Sequence, residues 1–167
     1  MTRDQPPVTL AVRFLRDRQI PFSTHLYDYR DHGGAAWAAE ALGLPPGQVI
    51  KTLVFETDDR RPLLVLMPGT LEVSTKALAR HLGVKAVAPC EPAKAQRLTG
   101  YQVGGISPFG TRQALPIYVE RSIFALPRLY INGGKRGFLV GLVPADLRRA
   151  LPDCHEVDVG LTHGLTD

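Results

Sequence analysis

Cysteine is scarce in this chain. Its 167 residues include two, Cys90 and Cys154, together with one tryptophan and two methionines. Two thiols so far apart exclude a disulfide-dense scaffold and offer no paired metal spacing, so both are expected as ordinary reduced thiols. Long apolar runs are missing as well. The longest, such as Leu63 to Met67, have the length of a strand and fall far short of a membrane span. No apolar signal region follows Met1-Thr2-Arg3-Asp4-Gln5-Pro6-Pro7, and the expected location is cytoplasmic. The five histidines, His25, His32, His81, His155 and His163, form no HExxH or paired-ligand spacing, so no metal is expected. There is no Walker loop, because Gly133-Gly134-Lys135-Arg136-Gly137 lacks both its spacing and its closing Ser or Thr.

What is present suits one globular domain. Hydrophobic residues make up 44% and charged residues 22%, enough for a real core without a second domain. The formal net charge is +4, carried in small groups such as Arg60-Arg61, Lys135-Arg136 and Arg148-Arg149. That distribution fits a folded basic face and a polyanionic partner, and equally a merely solvated surface.

Apolar residues at helical spacing predict a first helix from Val8 to about Arg18, ended by Ile20-Pro21. Aromatic and β-branched content predicts a strand over Phe22 to Tyr29, and His25 within it is expected to pack or hydrogen-bond. A short helix from Ala35 to Leu42 should close at Gly43. Val49 to Thr57 and Leu63 to Met67 read as a central hairpin. Ser74 is an N-cap candidate for a helix ending at Gly83. A strand over Val84 to Ala88 and a helix starting at Glu91-Pro92 and reaching Leu98 come next. Further strands are expected near Ile117 to Glu120, Arg128 to Ile131 and Phe138 to Val143, with a tight turn over Asn132 to Gly137. Pro144 opens the last helix. The domain is taken as residues 1–157, with 158–167 a loosely held tail. Helices and strands interleave without a βαβ period, so the expected class is α+β with a mixed, mostly antiparallel, curved sheet.

Two stretches stand out chemically. Gly100 to Gly110 spends four glycines, a proline and a serine on one irregular segment, which offers main-chain N–H groups at close range. Alternatively it is a glycine-rich turn joining two strands. In the strand Val49 to Phe55, a single lysine, Lys51, interrupts apolar residues. A buried ammonium is costly unless it is paired or meets a ligand, whereas a strand-end lysine extends its head into water. Gly105-Ile106-Ser107-Pro108-Phe109-Gly110 is no nucleophile elbow, since its second glycine comes one residue late and proline follows the serine.

Val49-Ile50-Lys51-Thr52-Leu53, Ala95-Gln96-Arg97, Thr99 to Gly110 and Gly133 to Gly137, in that order and spacing, resemble the YbaK/EbsC aminoacyl-tRNA deacylases. These are related to the editing domains inserted in bacterial prolyl-tRNA synthetases, and the similarity runs from about Val8 to Leu151. The resemblance implies a compact α+β domain around a mixed, barrel-like sheet. It implies hydrolysis of the ester on a mischarged tRNA, of the Cys-tRNA(Pro) type or with a related small amino acid, without metal or organic cofactor. Prolyl-tRNA synthetase is the implied partner. By position, Lys51 matches the functional lysine and Gly104 the main-chain donor of the loop. Tyr27, Thr52, Gly105, Ile106, Ser107, Pro108, Asn132 and Gly133 match substrate-binding positions, and Lys135 and Arg136 match nucleic-acid contacts. Asn132 stands where the cysteine-specific members have Ser, Leu139 where they have an acid, and His32 to Trp37 lacks an expected phenylalanine. These departures bear on which amino acid is accepted. Lys51 and the glycine stretch serve a non-catalytic module binding an aminoacyl end, a nucleotide or a synthetase equally well. A basic RNA-binding domain without a pocket is a third reading. The sequence leaves the oligomeric state open.

Overall fold

The computed structural model describes residues 5–162. Helix α1 (Leu10–Asp17) begins two residues later than its periodicity suggests, because the Thr9 side chain caps it by accepting from the Val12 N–H. It buries Ala11, Val12 and Leu15. β1 (Ser23–Leu26) is shorter than the expected strand. Helix α2 (Gly34–Leu42) closes at Gly43 in the left-handed region, as expected.

The central hairpin is β2 (Val49–Thr57) with β3 (Pro62–Pro68), paired from Ile50↔Pro68 to Glu56↔Pro62. Side chains of β3 alternate between two cores. Leu66 packs in a cluster with Phe109, Val119, Leu129 and Ile131, whereas Leu63, Val65 and Met67 pack with Phe55, Leu78 and Val159. Each fully buried leucine in such a core stabilises by about 2 kcal/mol.

The short strand β4 (Leu71–Val73), absent from the sequence expectation, leads to α3 (Thr75–Leu82). Ser74 caps α3 by accepting from the Ala77 N–H, and Gly83 ends it. β5 occupies Val87–Pro89, not Val84 to Ala88, because the Val84 N–H is spent on the carbonyl of Ala79 at the helix end. Next come α4 (Pro92–Thr99) and β6 (Ile117–Glu120), then a 3-10 segment over Arg121–Ala125 that the sequence reading missed.

β7 (Leu129–Lys135) and β8 (Phe138–Leu142) correct the expected turn. Asn132 to Lys135 belong to the strand, with a register shift between Asn132 and Lys135. The Asn132 Oδ1 accepts from the N–H groups of Gly134 and Lys135 and so stabilises this bulge. The turn itself lies at Arg136-Gly137. Helix α5 (Pro144–Ala150), β9 (His155–Val157) and β10 (Gly160–Thr162) complete the chain.

The main sheet runs β1-β8-β7-β2-β3-β6-β9, with β5 also on β2, and this path does not close into a barrel. It is mixed: β2–β7, β3–β6 and β6–β9 are parallel, and the other pairings are antiparallel. β10 pairs antiparallel with β4. Part of the expected tail is therefore a strand, tied further by Glu120, whose carboxylate accepts from the N–H groups of Val159 and Gly160. Residues 163–167 of that tail lie outside the described ones.

Candidate active site

One edge of β2 changes neighbours partway along. Pairing with β7 covers Val49 and Ile50, and pairing with β5 covers Phe55 to Thr57. At the interval between them lies a cavity of about 490 Å³, framed by α2, the segment around Tyr27 to His32, α4 and the glycine-rich loop.

Lys51 lines this cavity and is partly buried. Alternation along β2 puts its side chain on the face shared with Leu53 and Phe55, which pack near Leu71 and Val73. Its Nζ donates to the Leu71 carbonyl at 2.5 Å. Burial lowers its pKa below that of an ordinary lysine, and the charge of Glu72 opposes the shift. Thr52 faces the other way and also lines the cavity; its Oγ1 is buried with no hydrogen-bond partner among the described residues.

Gly104 brings bare backbone to the cavity wall with φ +92°, a conformation costly for any side-chain-bearing residue. A Cβ there would lie 2.6 Å from the Tyr29 hydroxyl. The Asn132 Nδ2 donates to the Gly104 carbonyl at 3.2 Å, so β7 holds the loop from below. The buried Tyr101 hydroxyl donates to the Phe109 carbonyl at 2.5 Å and braces the far end of the loop.

Two cation–π pairs line the same cavity. The Arg30 guanidinium lies 3.5 Å from the centroid of Trp37, whose Nε1 donates to the Asp28 carbonyl. Arg136 lies 4.9 Å from the Tyr29 ring, and its Nε donates to the Val103 carbonyl at 2.8 Å. Such pairs suit a groove that admits an anionic, base-bearing ligand. Tyr27 is half-buried, and burial with the neighbouring Tyr29 keeps its phenol protonated above the ordinary tyrosine range. The cavity also contains Cys90. Burial raises its pKa, which disfavours the thiolate and makes it a poor nucleophile.

Of the residues expected at the site, Tyr27, Lys51, Thr52, Gly104, Ile106, Asn132 and Arg136 line the cavity. Gly105, Ser107, Pro108 and Gly133 do not. Gly105 is buried against the backbone of Lys135 and Arg136. Ser107 is fully buried, with its Oγ accepting from the Phe109 N–H inside the loop, and Pro108 is buried beside it. Gly133 accepts from the Thr9 hydroxyl and packs against Phe138. Lys135 is exposed and outside the cavity lining. His25 lies on β1, hydrogen-bonded to Ser23 and edge-on to Tyr130, as its packing role suggests. Sequence reasoning missed Tyr29, Arg30 and Trp37. The run Tyr27-Asp28-Tyr29-Arg30 carried the signal, as alternating aromatic and charged residues just beyond a strand.

The chain is similar to known proteins over most of its length. The chain is 31% identical over 137 residues to "Putative Cys-tRNA(Pro)/Cys-tRNA(Cys) deacylase EbsC" of Enterococcus faecalis, covering 81% of this chain and 84% of that protein. It is 30% identical over 122 residues to the proline--tRNA ligase of Moorella thermoacetica, covering 71% of this chain but 21% of the ligase. Its fold matches the crystal structure of "a putative trans-editing enzyme for prolyl tRNA synthetase" with a TM-score of 0.80. That match covers 93% of this chain and 99% of the other at 23% identity. Residues 33–150 match the model of the aminoacyl-tRNA editing domain, and the chain belongs to that family.

Proposed function

We propose that the protein is a trans-editing hydrolase that deacylates mischarged tRNA, acting on Cys-tRNA(Pro) or a tRNA carrying a related small amino acid. The observation that carries this reading is the convergence of Lys51 and the Gly104 backbone on one cavity with two cation–π pairs. An ammonium and free N–H groups supply electrostatic stabilisation without a nucleophilic side chain. Water adds to the acyl carbonyl, and its proton passes to the ribose oxygen as the ester C–O bond breaks. Free amino acid and uncharged tRNA leave. With a cysteinyl substrate, the substrate's own thiol is the alternative attacking group: its sulfur bonds the acyl carbon, its proton passes to the ribose oxygen as the ester C–O bond breaks, and the β-thiolactone that leaves is opened by water to cysteine.

In this scheme the Gly104 N–H faces the oxyanion, and Lys51, fixed by the Leu71 carbonyl, keeps two further N–H donors for the terminal nucleotide. Arg30 and Arg136 meet phosphates of the tRNA acceptor end, with Trp37 and Tyr29 beneath them. Leu139 and Asn132, together with the apolar wall of Val54, Cys90, Pro92, Ala95 and Ile106, set the size and polarity of the acyl pocket. Partnership with prolyl-tRNA synthetase belongs to the same proposal.

The test is loss of ester from tRNA(Pro) charged with cysteine or alanine, with wild type and Lys51→Ala compared. Loss of one such contact typically costs about 3 to 4 kcal/mol of barrier, so the variant should fall by two to three orders of magnitude with unchanged circular dichroism. Wild-type time courses that match the no-protein control for every charged tRNA sink the reading in favour of a binding module.

A further inference from the structure

The edge of β2 that borders the cavity is unpaired over one short interval. Its ladder with β7 ends at Ile50↔Ile131, and its ladder with β5 begins at Phe55↔Pro89. Amide groups alternate between the two edges of a strand. The Val49 carbonyl accepts from the Gly69 N–H on the β3 side, while the Val54 carbonyl accepts from the Cys90 N–H on the other side. Alternation therefore turns the N–H and C=O of Thr52 toward the interval that neither β7 nor β5 fills. The same residue carries a buried hydroxyl without a partner among the described residues. The hydroxyl is thus unpaired, and the N–H and C=O face an interval without a ladder partner from β7 or β5 among the described residues, beside a largely apolar wall of Val54, Cys90, Pro92, Ala95 and Ile106. Buried main-chain groups are nearly always paired, so an unpaired set at a cavity marks a position where a ligand completes the bonding.

We infer that this interval holds the aminoacyl residue of the substrate as a single strand residue laid against Thr52. The α-ammonium donates to the Thr52 carbonyl, and the Thr52 N–H donates to the acyl oxygen. This is the reciprocal pair that one residue makes with its opposite number in an antiparallel ladder. The assignment rests on the deacylase reading and deepens it. It makes the backbone of β2 the reader of the α-amine, which every amino acid shares, and leaves the side chain to the apolar wall. It also gives the acyl oxygen a main-chain donor in addition to Gly104, and that donor strengthens as the oxygen gains charge.

The experiment compares tRNA(Pro) carrying alanine with the same tRNA carrying propionate, which lacks only the α-amine. Each enzymatic rate is divided by the hydroxide-catalysed rate of the same ester, to remove the intrinsic activation by the ammonium. A lost hydrogen bond to a charged group predicts a normalised kcat/KM lower by roughly tenfold to a hundredfold for the propionyl ester. Equal normalised values overturn the assignment while the deacylase reading stands. Binding is read separately, with the hydrolysis-resistant 3′-alanylamino-3′-deoxyadenosine and ¹⁵N-labelled protein. The Thr52 amide proton should move downfield and exchange more slowly, and the propionylamino analogue should reproduce this only weakly. If no ester is hydrolysed, the deacylase reading falls and this titration still decides whether the interval takes an aminoacyl group. A Thr52 amide indifferent to both analogues overturns the inference.

Discussion

The ammonium of Lys51 rests 2.5 Å from the main-chain carbonyl of Leu71, a residue of a different strand. That single contact fixes the direction of a flexible four-carbon side chain at the cavity wall. The carbonyl dipole orients the cation at the cavity wall, and the charge of Glu72 nearby favours its protonated form.

Activity should therefore fall at alkaline pH sooner than for an exposed lysine. Burial lowers the Lys51 pKa, so its charge is complete below the shifted value and is lost as pH rises through it. For stability the sign is opposite. The folded state releases this proton more readily than the unfolded chain, so the group's penalty is relieved as pH rises. Turnover above the uncatalysed background, measured across neutral to alkaline pH for wild type and Lys51→Arg, checks this. The arginine variant should be weaker but without the alkaline decline.

Gly104→Ala should impair both fold and function. The positive φ costs a side-chain-bearing residue about 1 to 2 kcal/mol, and the new methyl meets the Tyr29 hydroxyl. A lowered Tm together with deacylation at least tenfold slower is expected. Unchanged values for both would mean that the loop conformation is not needed.

Arg136→Ala and Lys135→Ala separate the two basic neighbours. Arg136 lines the cavity and contacts Tyr29 and the Val103 carbonyl, whereas Lys135 is exposed at the strand end. The arginine variant should raise KM markedly, and the lysine variant should mainly reduce the salt dependence of tRNA binding by about one unit of slope. Equal effects would place the RNA elsewhere.

Glu120 is 3% exposed and accepts from two main-chain N–H groups of the segment before and within β10. Burial raises its pKa. Glu120→Ala leaves both donors unpaired, at a cost of about 1 to 3 kcal/mol for each donor that stays buried. Urea denaturation should show the loss, with protection of the Gly160 amide against hydrogen exchange falling first.

Much of this was legible because local chemistry and tertiary packing agree. Ser74, Gly43, Gly83 and Pro92 occupy the cap positions their types predict, and the apolar run of β3 announced a strand buried on both faces. Strands β4, β9 and β10 are three residues each, too short to display alternation. The Asn132 to Lys135 segment reads as a turn because its glycines serve a bulge instead. In the site, Lys51 stood out as a cation in an apolar strand, and Gly104 as a glycine in a glycine-rich loop. Nothing local distinguished Gly104, which faces the cavity, from Gly105, Ser107 and Pro108, which pack inward. At Gly105 that difference depends on the backbone of Lys135 and Arg136, which is distant in sequence but packed directly against it.

The carbonyl that seats Lys51 belongs to β4, and the partner of β4 is β10, with Leu71 opposite Thr162. β4 thus waits for a strand made long after it. A nascent chain still lacking residues 160–162 has the lysine but not its finished mounting. Competence should appear only once residues 160–162 are free to pair with β4.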